Sequence, residues 1–212
     1  MNKKILKIYN QLEKYFGDLG WWPADSVFEV IVGTILTQNT SWKNVEKAIV
    51  NLKQKRVIDP VKISKMRTAE LAKIIRSAGY HNIKAGRLKE ISRFIVTECA
   101  GVYSRLKKRS TEKLRQQLLK VSGVGPETAD SILLYALEKP IFVVDAYTKR
   151  IFFRHRLIKE KASYDDIQIL VHENFPRDTK CLNQLHALLV ETAKNFCKKN
   201  LPLCAECPLN NK

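Results

Sequence analysis

The sequence predicts an all-α protein. Apolar residues recur at three- and four-residue spacing along almost the whole chain, as in Phe28, Ile31 and Ile35. The only strong strand-like run, residues 141–144, is too short to build a sheet. With 212 residues and 45% hydrophobic content, the chain can bury a real core, either as one compact unit or as two small halves folded together.

The predicted helices begin at recognisable signals. Residues 1–16 mix lysine with apolar residues at helical spacing, which predicts an amphipathic helix rather than an export signal. Ser26 with Glu29 fits a capping box, and Thr68 precedes another helical run. Thr179 opens a helix that we expect to end near Phe196.

Charge and cysteine content narrow the class of protein. A formal charge of +17 favours a polyanionic partner, and nucleic acid is the leading candidate, although a merely soluble basic surface is the alternative. No segment approaches the ~20 uninterrupted apolar residues that span a bilayer. Five cysteines, an odd number without an export signal, argue against a disulfide framework. We therefore expect a cytoplasmic, nucleoid-associated monomer with no membrane partner.

Residues 118–130 predict a helical hairpin. One helix ends, the chain reverses at Gly123 and Gly125, and Pro126 sits where a first helical turn tolerates proline. The two glycines permit positive φ and let backbone amides approach a phosphate beside a helix N-terminus. Two glycines near a helix start also occur in ordinary helix-helix turns, so the hairpin alone is a weak indication of DNA binding.

Asp145 follows the buried run 141–144 and precedes a helical pattern. An N-cap aspartate is the simpler interpretation of such a position. A single carboxylate can also stabilise the oxocarbenium character that develops when a C1′–N bond breaks, and can orient or deprotonate the attacking water.

The Gly-Val-Gly hairpin followed by Val-Asp resembles the signature of helix-hairpin-helix DNA glycosylases, the endonuclease III superfamily. The resemblance covers nearly the whole chain, including Leu36-Thr37-Gln38 and the turn at 79–85. It implies a base-excision-repair enzyme that acts on double-stranded DNA and flips out the damaged base. By this resemblance Asp145 is catalytic, Gln38 enters the vacated space, and Tyr80 and His81 form the opposing wedge loop. The DNA-binding hairpin residues would be Gly123, Val124, Gly125 and Thr128.

The same resemblance implies a helix-hairpin-helix fold of two helical subdomains with the active-site cleft between them. We expect a central subdomain at about 25–135, with the hairpin at 118–136. Residues 1–24 and 137–196 would form the second subdomain, and residues 197–212 a partial iron-sulfur loop.

The three tryptophans of the chain point to a base pocket. Trp21-Trp22-Pro23 ahead of Leu36-Thr37-Gln38 resembles the bacterial endonuclease III-like 3-methyladenine glycosylases, in which a Trp-Pro segment and an aromatic matching Trp42 line that pocket. Lys194 lies where that branch has a pocket lysine. Aromatic faces suit a cationic, alkylated purine, although tryptophans more often serve the core. The resemblance therefore favours alkylated purines such as 3-methyladenine.

Glu127 occupies the position where bifunctional relatives carry a Schiff-base lysine. A carboxylate cannot perform that chemistry, so we expect a monofunctional enzyme without AP lyase activity. Glu127 also has a structural explanation, its favourable interaction with a helix dipole. The alternatives are a bifunctional enzyme for oxidised pyrimidines and a non-catalytic DNA-binding module. An adenine glycosylase acting on mismatches is disfavoured, since the chain lacks room for a further recognition domain.

Cys197, Cys204 and Cys207 match three of the four ligands in the C-x6-C-x2-C-x5-C iron-sulfur loop of endonuclease III relatives. The fourth ligand would fall at position 213, beyond this 212-residue chain. The resemblance implies a structural [4Fe-4S] cluster in the complete protein, whereas a zinc ion with another ligand is the alternative. Cys99 and Cys181 are expected to be ordinary buried thiols.

Overall fold

The computed structural model describes residues 3–210, which are helical or irregular and contain no β-strand. The predicted all-α class is therefore confirmed. The described residues form two compact units. One unit contains those up to Trp21 together with those from Pro140 onward, and the other runs from Trp22 to Lys139. The predicted helix from Met1 and the predicted loop to Lys212 each extend two residues beyond the described range.

The central unit, residues 22–139, is organised around one long helix. Two short helices, one ending at Lys65 and the next beginning at Thr68, pack on this long helix. Leu88, Ile91 and Ile95 of the long helix are completely buried. A 3-10 turn, Arg76–Ala78, precedes the long helix, and a π-helical segment, Ile132–Ala136, closes the unit. The α-helices of this unit are α2 (Val27–Leu36), α3 (Trp42–Gln54), α4 (Pro60–Lys65), α5 (Thr68–Ile74), α6 (His81–Cys99), α7 (Ser104–Lys107), α8 (Thr111–Leu119) and α9 (Pro126–Ser131).

The other unit brings the two ends of the described chain together. Its helices are α1 (Lys3–Phe16), α10 (Ala146–Arg154), α11 (Tyr164–Asn174) and α12 (Thr179–Asn195). Helix α1 buries Ile5, Ile8 and Leu12 against α11 and α12, which confirms the amphipathic pattern of the N-terminal segment. Helix α10 packs on α12, so the helix that follows Asp145 is fixed by the core of this unit.

The helix starts partly match their predicted signals. Ser26 Oγ accepts a hydrogen bond from Glu29 N at 3.2 Å, as a cap does. The reciprocal bond of a capping box is absent, because the Glu29 carboxylate accepts instead from Asp25 N and pairs with Lys53. Thr179 is the first residue of α12, but the cap itself is Asp178, which accepts from the amide of residue 181.

No helix between residues 3 and 210 is both long enough and apolar enough to cross a membrane. The 19 residues of α6 include several lysines and arginines, for example Lys84, Arg87 and Lys89.

Candidate active site

The hairpin of the central unit joins α8 to α9. Gly123 has φ +83°, and a Cβ there would lie 2.3 Å from Cγ of Arg87, so both its backbone and its close neighbour require glycine. Gly125 does not use the positive φ that glycine permits, since it has φ −92° and ψ −180°. A residue that precedes proline is held in the extended region, and Pro126 imposes that conformation.

An ion pair joins the two helices of this hairpin. Arg115 in α8 donates to both carboxylate oxygens of Asp130 in α9, at 2.7 and 3.1 Å, and the Asp130 side chain is fully buried. Two parallel bonds to one carboxylate fix direction as well as distance. The pair therefore holds α8 and α9 at a defined angle, and with them the turn that carries Gly123.

Gln38, the residue expected to enter the DNA, is bonded to the hairpin. Its Nε2 donates to Thr128 Oγ1 at 2.9 Å and to the Gly123 carbonyl at 3.2 Å. Arg87 Nη1 donates to Gln38 Oε1 at 2.5 Å. Entry of this side chain into a duplex would require these bonds to be released, so Gln38 couples its own loop to the hairpin.

The second predicted wedge loop presents an aromatic ring to solvent. Tyr80 is 67% exposed and has φ +46°, a left-handed conformation that is unusual for a bulky residue. His81 is the first residue of α6. Gly79, which precedes Tyr80, has φ +67°. The loop is thus tightly turned at the point where it projects its largest side chain.

Two of the predicted pocket tryptophans lie in one aromatic cluster of the central unit. The rings of Trp22 and Trp42 meet edge to face with centroids 5.0 Å apart, and Tyr135 packs on Trp22 at 5.3 Å. Gly33 in α2 makes room, because a Cβ there would lie 3.0 Å from Trp22 Cζ2. Tyr135 belongs to the π-helical segment, a type of distortion often found at functional sites. Pro23, also predicted for the pocket, is exposed.

The other predicted pocket pair belongs to the terminal unit. Lys194 Nζ lies 5.1 Å from the centroid of the Trp21 ring and 2.9 Å from Glu191 Oε1. The structure thus brings together Lys194 and Trp21, which the resemblance assigned to the base pocket. A lysine held over an indole face provides a cation-π contact within the usual range.

The segment that leads to Asp145, residues 141–144, is irregular and buried. Side chains of α11 satisfy its backbone: the Phe142 amide donates to His172 Nε2 at 2.9 Å, and Gln168 Nε2 donates to the Phe142 carbonyl at 2.6 Å. The Val144 amide donates to the hydroxyl of Tyr164 at 3.4 Å. Buried backbone groups need such partners, so α11 fixes the path of the chain just before Asp145.

The structure shows one of the two roles that the sequence left open for Asp145, the N-cap. Asp145 caps α10, where Oδ1 accepts from the Thr148 amide at 2.7 Å. Its other oxygen, Oδ2, lies 3.6 Å from Nε2 of His186, and the Asp145 side chain is only 12% exposed. Burial alone would raise the pKa of this carboxyl, but the contacts with His186 and Thr148 outweigh it, so the pKa lies below its usual value. Asp145 is therefore a buried carboxylate that stays ionised at neutral pH.

Three cysteines of the terminal unit share one cavity. Cys197, Cys204 and Cys207 line a space of about 190 Å³. Burial raises the pKa of the Cys207 thiol, and the other two thiols act in the same direction. Arg154 Nη1 donates to Cys197 Sγ at 3.2 Å, and Arg150 donates to the Cys197 carbonyl at 2.7 Å. Among residues 3–210, however, no three His, Cys, Asp or Glu side chains are placed to hold a metal ion.

Sequence reasoning missed His186, which lies beside Asp145, and the buried Lys84, which donates to the carbonyls of Leu36 and Ala78. One signal could have found both. His186 shares one face of α12 with the buried residues Leu182 and Leu189. Lys84 shares one face of α6 with the buried residues Leu88, Ile91 and Ile95. A polar residue in the apolar phase of a helix must be satisfied by specific partners. Tyr135 and Gly33 gave no comparable signal, because their importance depends on where Trp22 lies.

Comparisons with known proteins identify the family of this chain. A family model described as "HhH-GPD superfamily base excision DNA repair protein" matches residues 32–177. The chain is 50% identical over 206 residues to a Methanocaldococcus jannaschii protein assigned as a DNA repair glycosylase, covering 97% of this chain and 93% of that protein. It is 31% identical over 188 residues to endonuclease III of Thermotoga maritima, covering 87% and 81%. Among solved structures, Helicobacter pylori 3-methyladenine DNA glycosylase bound to 1,N6-ethenoadenine superposes with a TM-score of 0.76 at 31% identity, covering 90% and 96%. The chain therefore belongs to the HhH-GPD superfamily of base excision DNA repair proteins, as an endonuclease III-like DNA glycosylase.

Proposed function

We propose that this glycosylase is monofunctional: it binds double-stranded DNA, extrudes a damaged base and hydrolyses the N-glycosidic bond with water. The observation that carries the proposal is the state of Asp145, a buried carboxylate held ionised between the Thr148 amide and His186. Such a group suits a reaction in which positive charge develops on a sugar.

The chemistry assigned to Asp145 follows from its two oxygens. Oδ1 is committed to the N-terminus of α10, which fixes the carboxyl plane. Oδ2, on the side of His186, is the oxygen left to stabilise the oxocarbenium-like sugar and to orient or deprotonate the attacking water. Rigid support from α11 keeps this oxygen in place without a cost of reorganisation during the reaction.

We propose that the hairpin binds the phosphate backbone of one DNA strand through Gly123, Val124, Gly125 and Thr128. Backbone amides at a helix N-terminus attract phosphate, and the charge of +17 strengthens the attraction in a salt-dependent way. Gln38, which bonds to Thr128, would be released from the hairpin when it fills the space of the extruded nucleotide.

Alkylated purines such as 3-methyladenine are the proposed substrates. The aromatic cluster of Trp22, Trp42 and Tyr135 and the Lys194-Trp21 pair supply ring faces that suit an electron-poor base. The similarity to H. pylori 3-methyladenine DNA glycosylase, solved with a modified adenine, supports the same class. A base that already carries positive charge leaves readily, so the pocket needs stacking more than strong acid catalysis.

The absence of lyase activity is proposed from Glu127. This residue lies in the first turn of α9, at the position that the resemblance assigns to a Schiff-base lysine. A carboxylate offers no nucleophilic nitrogen for attack at C1′. The second candidate function, a bifunctional enzyme for oxidised pyrimidines, is favoured by the 31% identity to T. maritima endonuclease III.

A [4Fe-4S] cluster is proposed for the C-terminal cysteines. The support for this proposal is the spacing of Cys197, Cys204 and Cys207 and the cavity that the three residues line together. In a complete site their thiolates would be the protein ligands of the cluster. The cluster would supply a structural clamp, and this chain's own arginines 150 and 154 would hold the same loop on α10.

The test is a panel of duplexes with single lesions: 3-methyladenine, 1,N6-ethenoadenine, thymine glycol, and uracil opposite guanine. Base release and strand cleavage are measured separately in each reaction. Release of alkylated purines with the strand intact supports the proposal. Release of thymine glycol with strand cleavage at the same rate would favour the bifunctional alternative, and binding without release from any duplex would favour a non-catalytic module.

A further inference from the structure

A buried lysine connects the two loops that we expect to probe DNA. The probe loops are residues 37–40, which contain Gln38, and residues 79–81, which contain Tyr80. Lys84 in α6 is 1% exposed, and its Nζ donates to the Leu36 carbonyl and to the Ala78 carbonyl, each at 2.8 Å. Leu36 directly precedes the first probe loop, and Ala78 directly precedes the second.

We propose that Lys84 is a positioning residue that holds the two probe loops at a fixed separation, so that both can engage one duplex at the extruded base. The inference rests on the proposed function of Gln38 and Tyr80 as wedge residues. It assigns to Lys84 no contact with DNA.

The two carbonyls are suited to an ammonium group. Leu36 ends α2 and Ala78 ends the 3-10 turn, and carbonyls in a last helical turn have no partner within their own helix. An ammonium donates charge-assisted bonds to them and interacts favourably with the negative ends of both segments. Burial and the nearby Arg87 lower the pKa of Lys84 to about 8, so the group remains mainly protonated at neutral pH.

The conformation of the probe loops explains why such a tether is needed. Asn39 has φ +53° and Tyr80 has φ +46°, so each loop contains a non-glycine residue in the left-handed region. Strained residues persist only where surrounding structure fixes them. Lys84 contributes a second anchor to the Tyr80 loop, since its own amide donates to the Tyr80 carbonyl at 2.9 Å.

Another lysine of the same helix offers a matched control. Lys89 also lies in α6, and its Nζ donates to the Met66 carbonyl at the C-terminal end of α4. The same type of bond is thus made from the same helix to a segment that carries no wedge residue. Lys89→Met should lose stability without altering the probe loops.

The experiment compares wild type, Lys84→Met, Lys84→Gln and Lys89→Met below their unfolding midpoints. The probe is a duplex that contains 2-aminopurine next to a tetrahydrofuran abasic site. The fluorescence of 2-aminopurine rises when this base unstacks from its neighbours. Single-turnover release from a lesion duplex is measured in parallel. Because misplacement by about 1 Å can reduce rates on the order of 100-fold, we expect Lys84→Met to reduce release roughly 10- to 100-fold and to suppress the fluorescence rise. Lys89→Met should match wild type in both.

Two results would overturn the inference: a folded Lys84→Met with wild-type unstacking and release, or equal losses in Lys84→Met and Lys89→Met. Should Lys84→Met fail to fold, Lys84→Gln, which is neutral and one bond shorter than lysine, decides in the same way. The unstacking measurement needs no base release. Absence of release by the wild type would therefore count against the proposed function, while the inference would still be decided by fluorescence.

Discussion

Substitution of Asp145 by asparagine separates its catalytic role from its capping role. Asparagine and aspartate are about equally good N-caps, so the amide oxygen should still accept from Thr148 N, as Oδ1 does at 2.7 Å. The charge beside His186 is lost. We expect base release to fall on the order of 10²- to 10⁴-fold, the usual contribution of a catalytic acid-base or electrostatic group. This loss corresponds to about 2.7–5.4 kcal/mol in the activation free energy.

Two further variants make the interpretation of Asp145→Asn unambiguous. Asp145→Ala removes charge and cap together, and should lower the free energy of unfolding by about 1 kcal/mol while losing as much activity as the asparagine variant. Asp178→Asn changes the N-cap of α12, in the same structural unit, and should keep full activity. The assay is single-turnover base release, with thermal unfolding and DNA affinity measured alongside. Near-full activity in a folded Asp145→Asn protein would refute the catalytic assignment.

The remaining predictions concern the pocket, the histidine and the cysteines. Trp22→Ala and Trp42→Ala should each lower base release about tenfold or more, because base-aromatic stacking contributes about 1–3 kcal/mol. Binding to undamaged DNA should be unchanged, and unfolding of both variants would show instead that these rings serve the core. His186→Asn should raise the pKa of Asp145, because His186 favours the ionised form, and so move the acid limb of the pH-rate profile to higher pH; an unmoved limb would contradict this coupling. Protein extended through a cysteine at position 213 should be brown and hold about four irons per chain, with less iron in its Cys204→Ser variant, whereas a colourless, zinc-loaded anaerobic preparation would contradict the cluster.

Much of the helical framework was predictable because local patterns determine it. The apolar spacing of α1, α6 and α12 and the proline at the start of α9 are visible without any tertiary information. The sequence left the conformation of the two hairpin glycines open; Gly125 is extended because a proline follows it, whereas Gly123 has positive φ.

The contacts of the candidate site were less predictable, because they join residues far apart in sequence. The bonds from Gln38 to the hairpin cross 85 and 90 positions, and Lys84 reaches back 48 positions to Leu36. His186 follows Asp145 by 41 positions, and nothing local indicates that α12 packs on α10. Helical phase could have marked Lys84 and His186 as unusual, but only the fold identifies their partners.

Borohydride trapping on lesion-bearing duplex tests the monofunctional mechanism most directly. The wild-type protein is incubated with a duplex from which it releases a base, borohydride is added, and covalent adducts, free base and cut strands are quantified together. Because Glu127 provides no amine, base release should proceed with no adduct that survives denaturation and with an intact strand. An adduct formed at the rate of base release would contradict the account.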